Sequence, residues 1–260
     1  MYKKLLKYRY EYLLFGIFIV ALSLRIITAK SMGWLTDEIF YIDFINQWFL
    51  KHFSEYFFQW KHEFYPPMSP EFGNGVLSLW LMLPGMYVAS KLGISFLLGA
   101  RFVNVILGSI SCVLIYLIGK NFYNKYVGVL AGWLLATSPA VIAGDASAYL
   151  DTTLTLLVLL DVYFLFAFLQ RHKLVHLYLI GIVLGLMSIV KLSSIPIIIV
   201  TFGFLLWDKI KTRSVDAWEY IRVFSVFVLV PTTLWAGARD IDHITRVYRM
   251  MMSETFIGTI

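Results

Sequence analysis

GVLSLWLMLPGMYVAS, Gly75 to Ser90, is the stretch on which the fold of this chain turns. It is apolar enough to enter a bilayer, yet it has only 16 residues and is interrupted by Pro84-Gly85. A helix that crosses the hydrocarbon needs about 20 residues. If this block crosses, every later loop changes sides. If it rests on the outer surface as an interfacial helix, the loops keep the sides set by the first span.

Outward from that block the sequence predicts an all-α, polytopic membrane protein. Apolar runs mark seven spans near 12–29, 98–119, 127–143, 151–169, 176–190, 195–207 and 218–237. Of the 260 residues 60% are hydrophobic, 17% aromatic and only 15% charged. The N-terminal run of 18 apolar residues, YLLFGIFIVALSLRIITA, is too long for a signal-peptide core and no A-x-A site follows, so it reads as a retained anchor.

Charge settles the side of the Gly75–Ser90 block. Lys3, Lys4, Lys7 and Arg9 precede the first span and place the N-terminus in the cytoplasm. With seven spans, Lys120, Lys125, Arg171, Lys173, Lys209, Lys211 and Arg213 join them on that side; with eight, these seven cations all face outward. The positive-inside bias therefore keeps the block on the outer surface. The net charge of +6 comes in these short clusters and offers phosphates no extended basic face, which argues against nucleic acid. Cys112 is the single cysteine and lies in an apolar run, so no intrachain disulfide forms.

This topology brings three polar features to the outer face. The first outer loop, 30–97, carries Asp37, Glu38, Asp43, Glu55, Glu63 and Glu71. GDASAYLD holds Asp145 and Asp151, and VKLSS holds Lys191. Thr36 can cap a helix whose first turn contains Asp37 and Glu38, so capping stands beside catalysis as a reading of Asp37. Along that helix Ile39, Ile42, Phe49 and Phe53 approximate one apolar face, as expected for a segment lying on the membrane.

Asp145 and Asp151 read either as loop residues at the bilayer edge or as part of a site. Arg101 and Lys191 adjoin long apolar runs, where a cation snorkels to the interface or marks function. Arg25 and Asp161 lie deeper, and each calls for a partner inside the bundle. Gly128-VLA-Gly132 and Gly181-IVL-Gly185 permit close helix packing. Carboxylates beside cations at the lipid edge suit transfer from an anionic lipid-linked donor. A lipid phosphate leaves without protonation, so cations stabilise it and one carboxylate serves as base.

Five motifs occur in register: T-D-E at 36–38, FYPPMSP at 64–70, the run from Ala100 to Pro139, GDASAYLDTTLTLLVLL at 144–160 and GIVLGLMSIVKLSSIPIIIV at 181–200. Together they resemble the GT-C glycosyltransferases, in particular the branch of protein O-mannosyltransferases and aminoarabinose-type lipid A transferases. The resemblance implies a polyprenyl- or dolichyl-phosphate sugar donor, used outside the cytoplasm with inversion at the sugar carbon. It implies Asp37 as catalytic base with Glu38 beside it, and Arg101, Asp145, Asp151 and Lys191 as residues around the donor. Tyr65 stands where that branch has the histidine of H-P-P, which puts a His-dependent metal or acceptor contact in doubt.

Some members, such as oligosaccharyltransferases, hold a divalent metal (Mg or Mn) between the acidic loops, whereas the mannosyltransferase branch is not known to require one. Metal use stays open. The module reads as residues 1–237, followed by an outer amphipathic tail, 238–260. Full-length relatives continue beyond seven spans, so three expectations stand together: a minimal enzyme in a prokaryotic plasma membrane, a catalytic module completed by a partner subunit, or a noncatalytic subunit binding lipids or partner helices. A transporter using Arg25, Arg101, Asp161 and Lys191 would need polar groups running through the bundle, and the spans show few.

Overall fold

The structure is a computed structural model that describes residues 2–44, 76–212 and 216–234. Among these residues it is all-α. The helices are α1 (Tyr2–Ser31), α2 (Thr36–Phe44), α3 (Val76–Lys91), α4 (Phe96–Phe122), α5 (Lys125–Thr137), α6 (Pro139–Asp145), α7 (Asp151–Arg171), α8 (Leu174–Ser188), α9 (Ile195–Thr212) and α10 (Ala217–Leu234). A 3-10 turn, Leu192–Ser194, joins α8 to α9. Tyr65 and the rest of FYPPMSP, Phe49, Phe53, Glu55, Glu63, Glu71 and the tail 238–260 fall outside the described residues, as does the side chain of Asp43.

Local chemistry sets the helix ends. Ser95 accepts a hydrogen bond from the Leu98 N–H and opens α4, and the Asn124 side chain accepts from the N–H groups of Tyr126 and Val127 at the start of α5. α7 ends where His172 turns into the left-handed region at φ 47°, its N–H returning to the Phe168 carbonyl. Between α5 and α6, Pro139 disfavours helical backbone at Ser138, which is extended, and the two helices bend by 64°.

Helices buried in lipid gain little from the hydrophobic effect on meeting each other, so close approach and polar contacts must hold them. Glycines make that approach. A Cβ on Gly85 or Gly99 would run into the other's backbone, which puts α3 and α4 in direct backbone contact. Gly128 and Gly132 sit against Tyr116 and Lys120 of α4, and Gly181 and Gly185 against α10 around Val223 and Val230. Both small-residue spacings noted in the sequence are thus helix seams. Phe168, Leu177, Leu184 and Met187 lie in the main apolar core, and Ile17, Ala21, Cys112 and Tyr116 in a smaller one beside α1.

The seven-span expectation is met in part. Tyr12–Ser31, Phe96–Phe122 and Asp151–Arg171 are long and apolar enough to cross a membrane, and the bent pair α5–α6 makes a fourth candidate. The apolar helix α8 has 15 residues and so reaches only about 22 Å. α9 has 18 residues, but Asp208, Lys209 and Lys211 occupy its last turns. Ile39 and Ile42 do not share one face: Ile42 is in the core while Ile39 is exposed.

The ends of the helices sort by charge. Arg101, in the first turns of α4, donates to carbonyls of Ala29 and Met32 at the end of α1. The chain therefore leaves α1 and enters α4 at the same end of the bundle. The α6–α7 loop and the α8–α9 turn lie at that end too, joined through Glu38 to Ala148 and through Lys191 to Asp151. Lys120, Lys125, Arg171, Lys173, Lys209 and Lys211 lie toward the opposite end, where His172 at the close of α7 meets Asp208 near the close of α9.

Candidate active site

The acidic pair at the start of α2 is divided by one helical step. Glu38 is fully buried, whereas Asp37 is exposed. Arg101 donates from Nε to Glu38 Oε1 at 2.8 Å and from Nη2 to Oε2 at 2.6 Å, a bidentate pair. The N–H of Ala148 donates to Oε1 at 2.7 Å and the N–H of Leu35 to Oε2 at 3.0 Å, so Glu38 also caps its own helix. Burial alone would push this carboxyl up. The hydrogen bonds and charge of Arg101 with the two N–H groups outweigh that and hold it below its ordinary value.

Arg101 is saturated. Its remaining donors reach the carbonyls of Ala29 and Met32, each at 2.9 Å from Nη1, and of Gly33, at 2.6 Å from Nη2. A guanidinium has five N–H groups, and all have acceptors inside the protein. In this arrangement Arg101 offers no donor to a lipid phosphate, and Glu38 offers no free oxygen to a proton or metal. The pair ties α1, α2, α4 and the α6–α7 loop into one clasp.

A second buried pair lies deeper. Arg25 donates from Nε to Asp145 Oδ2 at 2.9 Å and approaches it with Nη2 at 2.8 Å. Nη1 also reaches carbonyls of Ala21 and Ala136. Gly108 leaves the space Asp145 fills, since a Cβ there would overlap the carboxylate. Asp145 therefore faces Arg25 and not an open site. Asp161 does not pair with Arg25; its Oδ2 accepts from Thr201 at 2.6 Å between α7 and α9.

Between these supports runs the loop Ala146–Leu150. Asn104, wholly buried, donates from Nδ2 to the carbonyls of Ser147 at 2.8 Å and Tyr149 at 2.7 Å. Ser147 donates to the Gly144 carbonyl at 2.6 Å. Tyr149 is only half-buried. Desolvation, followed by the negative charges of Asp37, Glu38 and Asp151, pushes its phenol above the ordinary value, so it remains a donor. Two residues on, Asp151 accepts from Lys191 Nζ at 2.8 Å, and this pair is open, with side chains 60% and 31% exposed.

The sequence-predicted residues thus divide. Asp37 and Asp151, both exposed, and the half-buried Lys191 form a rim with Tyr149 among them, while Glu38, Arg101 and Asp145 are buried beneath it. Tyr65 lies outside the described residues. Asn104, Gly108 and Tyr149 were not singled out from sequence, yet Arg101, Asn104 and Gly108 share one face of α4 at i, i+3 and i+7. Among the described residues no three His, Cys, Asp or Glu side chains gather to hold a metal ion.

The sequence profile of one family, described as dolichyl-phosphate-mannose-protein mannosyltransferase, matches residues 76–235. No curated protein and no solved structure matches the chain. The matched stretch runs from α3 to the end of α10 and includes Arg101, Asp145, Asp151 and Lys191, whereas Asp37 and Glu38 precede it. Covering well over half of a chain built of apolar helices, this match shows an integral membrane protein of the glycosyltransferase type: the chain belongs to the dolichyl-phosphate-mannose-protein mannosyltransferase family.

Proposed function

We propose that this protein transfers a sugar from a polyprenyl- or dolichyl-phosphate donor to an acceptor at the non-cytoplasmic face of the membrane, with Asp37 as general base. The observation that carries the reading is the rim itself: the exposed carboxylates of Asp37 and Asp151, the Lys191 cation paired with Asp151 and the protonated phenol of Tyr149, gathered at a single end of an apolar bundle. The seven-span topology belongs to the same proposal. Cations at the far end then face the cytoplasm, in keeping with the positive-inside bias.

In this reading the acceptor hydroxyl gives its proton to Asp37 as its oxygen attacks the anomeric carbon. The bond from that carbon to the phosphate oxygen breaks, its electron pair leaves with the lipid phosphate, and the sugar carbon inverts. The phosphate needs charge stabilisation and no proton. Lys191 supplies it by exchanging Asp151 for the donor phosphate. Such an exchange is cheap, because an exposed pair contributes only about 0–1 kcal/mol. Tyr149, a donor beside the carboxylates, hydrogen-bonds the sugar or acceptor. Glu38 and Arg101 act as the floor that fixes where Asp37 points, a role the saturated geometry supports over direct contact with phosphate.

The test is Asp37→Asn in the full chain, reconstituted with a polyprenyl-phosphate mannose donor and scored for transfer and for lipid-phosphate release. Loss of both with an unchanged melting curve is the expected result. Full activity in that variant removes Asp37 as base. No turnover in the unaltered chain on any polyprenyl-phosphate sugar, together with stoichiometric copurification of another membrane protein, would favour the noncatalytic-subunit reading.

A further inference from the structure

One peptide unit beneath the rim is gripped at both ends. The Ser147 carbonyl and the Ala148 N–H belong to the same trans peptide, so they point in opposite directions. Asn104 Nδ2, on α4, donates to that carbonyl at 2.8 Å, and Glu38 Oε1, on α2, accepts from that N–H at 2.7 Å. The second N–H of Asn104 Nδ2 reaches the Tyr149 carbonyl at 2.7 Å. Ser147, Ala148 and Leu150 are buried, and between them only the Tyr149 side chain emerges.

Asn104 has the chemistry this place asks for. At its length only a carboxamide offers two N–H donors on one nitrogen. Turned end for end, it would set its oxygen against two carbonyl oxygens, so its orientation follows from its partners. Its own Oδ1 is buried with no partner among the described residues. A hydrocarbon side chain would remove that cost, so the polar group serves the loop and not the packing of α4. Glu38 directly follows Asp37 in the first turn of α2. A single line of contacts therefore runs from the helix that carries Asp37, through Glu38 and one peptide plane, to Asn104.

We propose that Asn104 is a positioning residue of the rim: it holds the Ser147–Tyr149 backbone so that the Tyr149 phenol stands at a fixed place relative to Asp37. The inference rests on the glycosyl-transfer reading, in which Tyr149 hydrogen-bonds the sugar or acceptor. Asn104, wholly buried, acts only through the loop.

The experiment pairs hydrogen–deuterium exchange of the reconstituted full chain with its transfer kinetics on a polyprenyl-phosphate mannose donor. Asn104→Ala should speed exchange of the amides of 146–150 and lower kcat about 10–100-fold, as misplacement of a substrate-contacting group does. Tyr149→Phe should lower kcat with loop exchange unchanged. Added to Asn104→Ala, Tyr149→Phe should cost little more, because a phenol already out of place has little left to lose. Ser109→Ala removes another buried polar group of α4, one that reaches only the Val105 carbonyl of its own helix, and should leave both readouts unchanged. Asn104→Ser, polar but too short to span both carbonyls, stands in if Asn104→Ala does not fold. Unchanged loop exchange in the Asn104 variant, or effects of the two substitutions on kcat that simply multiply, overturns the proposal. No turnover in the unaltered chain overturns the transfer reading and with it the kinetic half of this inference, and the exchange of 146–150 then decides the grip by itself.

Discussion

Two acid–base pairs at the same end of this molecule, Glu38–Arg101 and Asp151–Lys191, have almost the same contact distances and opposite consequences. Glu38 and Arg101 meet at 2.6 Å with side chains 0% and 1% exposed, and every donor and acceptor has a partner. Lys191 and Asp151 meet at 2.8 Å in the open. A buried pair cannot be separated without leaving a charge stranded in a low dielectric, which costs about 3–5 kcal/mol. An exposed pair opens for less than about 1 kcal/mol. Burial, not residue type, decides which pair holds the fold and which is free to meet a ligand.

Substitutions can break that comparison. The largest effect expected is at Asp37: Asp37→Asn should lower the rate of transfer by about 10²–10⁴, the usual worth of a general base, while thermal unfolding in detergent stays where it was. Next is its neighbour. Glu38→Gln should cost about 3–5 kcal/mol of stability, because Arg101 loses its counter-charge in a buried site, and the readout is the melting transition itself. If the two variants exchange phenotypes, the division between rim and clasp is wrong.

Gly108→Ala sharpens the comparison from below. The added methyl meets Asp145 directly, and overpacking of this kind costs about 1–3 kcal/mol. Lys191→Ala should leave stability within about 1 kcal/mol and act on the donor, as a raised KM with little change for the acceptor. An unchanged donor KM would take Lys191 out of the site.

The smallest effect is one of pH. The Glu38 carboxyl is held below its ordinary value of 4.5 when folded, so its contribution is complete above that value and is lost as pH falls through the folded value. Acid unfolding of the unaltered chain should therefore steepen below about pH 4.5, and Glu38→Gln should flatten that limb. A variant curve parallel to the unaltered one would show that the clasp does not titrate.

Much of the site was legible in the sequence as a set of segments. T-D-E, GDASAYLD and VKLSS were expected at one face, and the contacts of Glu38 with Ala148 and of Lys191 with Asp151 bring them to one end of the bundle. What was not legible is which charged residue faces which partner. Asp37 and Glu38 are adjacent and alike, and a single 100° step around α2 puts one in solvent and the other against Arg101. Arg25 and Asp145 are 120 residues apart, and no spacing rule relates them. Asn104 carries no charge and was passed over, although its two hydrogen bonds shape the loop that presents Tyr149.

By itself the sequence determined that this is an all-helical membrane protein and that its cations gather away from its acidic loops; it did not determine where helices break, since the expected span 127–143 is bent at Ser138–Pro139 and Pro84 lies inside the continuous helix α3. The properties it determined are local: run length and a count of charges between apolar blocks. Only the tertiary structure decided which charges are spent on one another and which stand open. Pairing depends on how helices cross, and a crossing such as Gly85 on Gly99 or Gly108 beneath Asp145 is set by the fit of two surfaces far apart in the chain.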